Sequence, residues 1–201
     1  MGDFLKAVSH IFHPLFIPMA GTLAYFVITP KYSPLELQSG NILPIFILTV
    51  IIPIVAYLIL RNVGLVKSIF MPSRKERKYP LLIHIALLLM IIVEVVPDNY
   101  VQEIHYYFLG LTAAAGAALF LLFLKVKASL HLMGMGGLFM FLTALSVHFE
   151  VNITIALSIL ALLTGLVATS RLYLKAHSKA ELFIGLCLGV ISQLLMVRFW
   201  L

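Results

Sequence analysis

Long apolar stretches set the rhythm of this chain, and most of its charged residues fall between them. The stretches cover about residues 12–29, 41–60, 80–97, 104–124, 132–148, 153–170 and 181–200. Each is close to the roughly 20 residues that cross a hydrocarbon core about 30 Å thick at about 1.5 Å per residue. The predicted fold is therefore all-α, a polytopic transmembrane helix bundle with six to seven spans. The first stretch sets that range, because Pro14 and Pro18 interrupt it and His10 and His13 precede or begin it. Six spans plus an interfacial helix fits the same pattern.

Composition agrees. Of 201 residues, 62% are apolar and 11% charged, with a mean hydropathy of +1.09. A soluble domain carries about 25% charged residues, so lipid is the expected surroundings. The loops are short, which leaves one membrane-embedded domain over residues 1–201 and no linker, repeat or low-complexity tract. The residues after the first stretch (Thr29, Pro30, Lys31, Tyr32) offer no small-x-small cleavage site, so it reads as a retained anchor. Cys187 stands alone in the last stretch, which excludes a disulfide or a cysteine metal cluster and suggests a small core residue. The net charge of +6 does not point to nucleic acid, because no soluble segment is long enough to present a groove-reading element.

With seven crossings, every Lys and Arg except Lys31 and Arg198 falls on one face. The positive-inside rule accounts for most of that and puts the face in the cytoplasm. It accounts less well for Arg74, Arg77 and Arg171, which stand before helices and beside histidines or other basic residues. Ser73-Arg74-Lys75-Glu76-Arg77-Lys78-Tyr79-Pro80 leads into the third span, with proline suited to a first helical turn. Arg74 and Arg77, three apart, share a helical face. Lys127-Ala128-Ser129-Leu130-His131 leads into the fifth span, where Gly134, Gly136 and Gly137 permit close packing. Ser170-Arg171, His177 and Glu181 lead into the seventh. Two crossings separate each motif from the next, so all three return to the same face.

Helix N-termini attract anions through unpaired N–H groups and about half a positive charge. Three of them with three arginines suit phosphate, whose oxygens accept the planar fork of arginine, and Ser129 adds a hydroxyl. Two histidines suggest catalysis: a neutral imidazole attacks phosphorus and an acid protonates the departing oxygen. Glu181, four residues past His177, has the spacing to hold the other ring nitrogen. Simpler roles exist for each part. Ser178 and Glu181, like Ser73 and Glu76, also form the Ser-x-x-Glu pattern of a helix cap. His10, His13, His105 and His148 read as interfacial residues, Glu94 as reaching the opposite interface, and Gln193 as a tie between helices. His84 shares a stripe with Arg77 and is a candidate lining residue. A metal site built from His84, His131, His177 and Glu181 is disfavoured by the surrounding arginines, so neither metal nor cofactor is expected.

These motifs resemble those of the type-2 phosphatidic acid phosphatase superfamily, over about residues 67 to 189. That family's third motif is Ser-Arg, five residues, His, three residues, Asp; Ser170-Arg171, His177 and Glu181 reproduce it with Glu for Asp, and Gly185 matches a glycine common in the same helix. Its second, Pro-Ser-Gly-His, is kept in Ser129 and His131 of Ala128-Ser129-Leu130-His131. Its first, Lys, six residues, Arg-Pro, aligns either on Lys67 and Arg74 or, with Pro80 displaced, on Arg74 and Arg77; the second puts both cations at the helix start. The resemblance implies a compact bacterial inner-membrane enzyme that removes phosphate from a lipid phosphate or diphosphate without metal, and many such relatives are expected to work on the outer face, which leaves the side of the site open against the charge pattern. It implies a phosphohistidine on His177 with Glu181 as its partner and His131 as the leaving-group acid. Arg74, Arg77, Ser129 and Arg171 would hold the phosphate. The alternative is an inactive relative that binds or moves phospholipid or lipid-linked phosphate. The implied partners are the lipid substrate and the bilayer; oligomeric state is left open.

Overall fold

The computed structural model describes residues 2–67, 74–97 and 101–201, with Arg74 and Lys75 described by their backbone alone. Among the described residues all regular structure is helical: α1 (Gly2–Ile11), α2 (Ile17–Ile28), α3 (Leu35–Phe46), α4 (Ile52–Asn62), α5 (Arg74–Met90), α6 (Gln102–Phe123), α7 (Leu130–His148), α8 (Thr154–Tyr173) and α9 (Lys179–Val197). They make seven spans long and apolar enough to cross a membrane, the first being α1 with α2 and the second α3 with α4. Outward-facing Leu58, Val93, Leu162 and Phe183 are exposed, as a lipid-facing surface requires.

Proline explains the irregular spans. Ahead of Pro14, His13 is held extended (φ −66°, ψ 141°), the conformation that a following proline favours. A 3-10 turn, Pro14–Phe16, then restarts the chain into α2, with Pro18 in its first turn. Between α3 and α4 the helix widens into a π turn, Ile47–Ile51, just ahead of Pro53, which has no N–H to give to the ladder. Four helices end tightly on a residue with positive φ: Gly64 (80°), Lys125 (64°), Glu150 (55°) and Lys175 (52°). After α8 the N–H of Ala176 bonds back to Arg171 O at 3.1 Å, which turns the chain over the helix end and delivers His177.

Helix α7 is the centre of the bundle. Of its most apolar stretch 67% is buried, against 22% for α8. It packs most closely on α9, where glycine removes the obstacle: a Cβ at Gly189 would lie 2.0 Å from Met133 O, at Gly185 2.4 Å from Ser129 O, and at Gly136 2.7 Å from Leu186 O. Of the three glycines expected to permit close packing, Gly136 does so on α9 and Gly134 against Ile17, where a Cβ would lie at 3.0 Å, whereas a Cβ at Gly137 would meet nothing nearer than 3.7 Å. Gln193 does tie helices, donating from Nε2 to Tyr107 O at 3.0 Å across the α6–α9 contact. Cys187 is half-buried on α9 and so lies outside the core in which it was expected.

The first span starts at Gly2 rather than near 12 and the second at Leu35 rather than near 41, and two further boundaries, both at the site, differ from the sequence reading. Helix α5 begins by Arg74, so Pro80 lies inside it rather than in its first turn, and Arg77 is already helical. Charged residues at an interface break a hydropathy pattern without breaking a helix. Arg171 belongs to the last turn of α8, not to the approach to α9. There it faces the carbonyl end of the helix dipole, which favours a cation.

Candidate functional site

The candidate residues gather where the starts of α5, α7 and α9 come near the end of α8 and the middle of α1. Beneath them Val8, Leu132, Val167 and Leu182 form a small apolar cluster of their own, one from each of α1, α7, α8 and α9. The α7 and α9 starts are joined directly: Ser129 N donates to Glu181 O at 3.0 Å, over the gap left by Gly185.

His177 occupies the loop just before α9, and its side chain is buried. Its Nδ1 lies 2.9 Å from Glu181 Oε2. The same oxygen accepts Ser178 N at 3.2 Å, while Ser178 Oγ accepts Glu181 N at 3.2 Å. The capping-box role and the histidine-partner role were alternatives on sequence; one carboxylate performs both, since capping fixes its rotamer and the fixed rotamer meets His177. Lys127 Nζ sits 3.8 Å from the other oxygen, Oε1. Burial, then the nearby Arg77, pull the His177 imidazole down to about 4, with Arg171 acting the same way and Glu181 opposing. At neutral pH the ring is uncharged. An ionised carboxylate can only accept, so the ring proton sits on Nδ1 and the lone pair on Nε2.

Arg171 is buried, 4% exposed. Its Nη1 donates to Ser9 Oγ at 3.2 Å, and its Nε has no hydrogen-bond partner among the described residues. Arg77, half-buried, is near enough to repel Arg171 and to interact with Glu181 and His177. His131, buried in the first turn of α7, is in electrostatic range of both Arg171 and His177. Its Nε2 lies 3.1 Å from Ser9 O. Ser129 is fully buried as the N-cap of α7, its hydroxyl facing Leu132 N at 3.5 Å, so the helix start occupies the group expected to meet phosphate.

Of the residues singled out on sequence, His177, Glu181, His131, Arg171, Arg77 and Ser129 thus converge. The Arg74 side chain, and Ser73 with its expected cap, lie outside what is described. His84, two turns along α5 from Arg77, forms no hydrogen bond or ion pair with these groups among the described residues. Sequence reasoning missed the contribution of the first span. His13, taken for an interfacial residue, sets its ring edge-on against His131 with centroids 5.4 Å apart. Ser9 reaches two site residues, and Ser170 anchors it, with its hydroxyl 2.7 Å from Ser9 Oγ and 2.6 Å from Leu5 O. Small polar residues such as Ser9 were the available signal, on a helix start too polar to enter the hydropathy pattern.

Next to Arg77 a narrow crevice opens between α5 and α6, lined by Arg77, Leu81, Ala118, Leu122, Ala128 and Leu130. It is apolar except at the arginine. No group of three or more His, Cys, Asp or Glu arranged to hold a metal ion occurs among the described residues. Comparison of the chain with protein-family models, curated proteins and solved structures finds no match in any of the three.

Proposed function

We propose that the protein is an integral membrane phosphatase that hydrolyses a lipid phosphate or lipid diphosphate through a phosphohistidine on His177. One observation carries this reading: a neutral histidine, held through Nδ1 by a carboxylate, lies within a cluster of arginines whose mutual repulsion an anion would relieve. The phosphoryl group is held by Arg171 and Arg77, aided by the start of α7. Nε2 of His177 attacks phosphorus, a P–N bond forms, and the bond to the lipid oxygen breaks as that oxygen takes the proton that Nδ1 of His131 has received from the bound monoanionic phosphate. Water then attacks the phosphohistidine, gives its proton to His131 and releases inorganic phosphate from a restored His177. Glu181 stabilises the imidazolium character that develops on His177. The narrow crevice beside Arg77 is lined otherwise by apolar side chains, which supports a charged headgroup at the arginine with apolar surroundings next to it.

A second reading, binding or transfer of lipid-linked phosphate without turnover, has one observation in its favour. His131 Nε2 already bonds to Ser9 O, so only Nδ1 remains to serve a leaving group. Purified protein offered long-chain lipid phosphates and diphosphates, with chelator present, separates the two. The phosphatase reading expects phosphate release that chelator does not reduce and that His177→Ala abolishes. Absence of turnover on every substrate would overturn it in favour of binding.

The crowding of basic residues on the motif face favours the cytoplasm for that face, whereas the resemblance to a bacterial branch suggests an inner-membrane enzyme working on the outer face. A cysteine placed at Lys179, exposed and free of the Ser178 capping role, reports the side in intact cells once Cys187 is replaced by alanine.

A further inference from the structure

Ser9 lies far from the segment that carries the resemblance, yet it joins two of the site residues. Its hydroxyl meets Nη1 of Arg171 at 3.2 Å and Ser170 Oγ at 2.7 Å, and its carbonyl meets His131 Nε2 at 3.1 Å. Counting protons assigns the roles. Ser170 donates its own proton to Leu5 O, so the proton between the two hydroxyls is that of Ser9. A lone pair of Ser9 Oγ is then left for the Arg171 N–H. A carbonyl only accepts, so His131 carries its proton on Nε2, and Nδ1 is the ring nitrogen left free.

We propose that Ser9 is a positioning residue of the anion pocket: through this residue the N-terminal helix fixes the guanidinium of Arg171 and the tautomer of His131. The inference rests on the reading of the pocket as a phosphate site. Ser9 is 3% exposed and Arg171 4%, so neither can turn to water for a partner. With Nη1 engaged by Ser9, the side-on edge of the guanidinium, Nε and Nη2, is turned away from that contact. Nε on that edge is the buried N–H without a partner among the described residues. Such an edge is the fork that takes two oxygens of one phosphate. The N-terminal helix is therefore part of the pocket wall, and an anion meets an arginine already oriented.

The test is inorganic phosphate binding, measured by calorimetry on the purified full-length protein in detergent. Ser9→Ala, which removes the hydroxyl and keeps the carbonyl, is expected to weaken phosphate binding about tenfold. Ser9→Thr keeps the hydroxyl and restores it. Ser9→Cys keeps the side-chain volume while weakening the acceptor, and repeats the comparison should the alanine variant fold poorly. In an Arg171→Met background Ser9→Ala is expected to have no further effect, because its role runs through Arg171. A merely structural role would give the same loss in both backgrounds. That result, or unchanged affinity in both Ser9→Ala and Ser9→Cys, would overturn the inference. Turnover is not needed for the readout. A protein that shows the Ser9–Arg171 coupling without hydrolysing lipid phosphate upholds the role of Ser9 and removes only the phosphatase reading. A wild-type protein that binds no phosphate removes the pocket reading and this inference together.

Discussion

At the end of the bundle away from the three motifs, a buried carboxylate is surrounded by its own partners. Glu103, 2% exposed at the start of α6, takes Lys31 Nζ at 2.5 Å and Tyr25 OH at 3.1 Å, with His148 Nε2 at 3.7 Å. The ring of Trp200 closes over His148, with centroids 5.3 Å apart. This cluster draws on α2, the segment after it, α6, α7 and the C-terminus, and its charges are matched within the chain. The motif end is built the other way. Glu181 faces Arg77, Lys127 and His177, while Arg171, repelled by Arg77, keeps a buried Nε–H without a partner among the described residues. Buried charge left unbalanced costs stability, so the two ends serve different purposes: one fastens the helices, and the other holds a surplus of positive charge that an anion would neutralise.

Substitutions should therefore separate activity from stability along that division. The largest effect is expected from His177→Ala, which removes the nucleophile and should lower phosphate release by about a thousandfold or more with little change in unfolding. Equal rates for variant and parent would remove His177 from the chemistry. Next, Arg171→Met should weaken phosphate binding by about 10- to 100-fold, the loss of charge-assisted hydrogen bonds. Its thermal unfolding in phosphate-free detergent should be no lower than that of the parent, because a buried charge lacking a counterion is gone. A clear drop in unfolding temperature would show that the arginine serves the fold.

Glu103→Ala should behave in the opposite sense. It strands the buried Tyr25 hydroxyl and costs about 1–3 kcal/mol by denaturant titration, with Lys31 adding little because its side chain is half-exposed. Specific activity of the folded fraction should stay that of the parent. Loss of activity without loss of stability would erase the distinction between the two ends.

The smallest expected effect is in the pH profile. His177 titrates at about 4 in the folded protein against about 6.5 when unfolded. Above 6.5 it is neutral in both states. As pH falls from 6.5 toward 4, the unfolded chain takes up the proton first, so stability declines across that window and levels off below it. For activity, the acid limb of kcat/KM from the free enzyme should lie near 4. After correction for ionisation of the substrate, kcat/KM at pH 5.5 should stay within about twofold of its value at pH 7. A limb near 6.5 would mean that His177 is open to water.

Much of this was legible in the sequence because it depends on local spacing. Apolar length marked the spans, and Gly136 in α7 marked the tight seam with α9. The four-residue step from His177 to Glu181 put one above the other at a helix start. What was not legible depends on distant contacts or on helix ends. Ser9 meets Arg171 across 162 residues, and Glu103 collects Lys31 from 72 and Tyr25 from 78 residues away; no period in the chain encodes either. The beginning of α5 was hidden for another reason, since the charged run from Arg74 to Lys78 reads as a loop by hydropathy although it is helical at the interface. Arg171 was assigned to the wrong helix because its value at a C-terminus is electrostatic and leaves no apolar mark.

The central claim is that the positive pocket delivers phosphate to Nε2 of His177, and the covalent intermediate tests it most directly. Protein mixed with a long-chain lipid phosphate labelled on phosphorus, quenched in alkali within milliseconds and digested, should yield one labelled peptide containing His177. The label should be stable to alkali and lost in mild acid, as a phosphohistidine is, and absent from His177→Ala. Steady phosphate release with no label on His177 at any quench time, and undiminished in His177→Ala, would contradict the account.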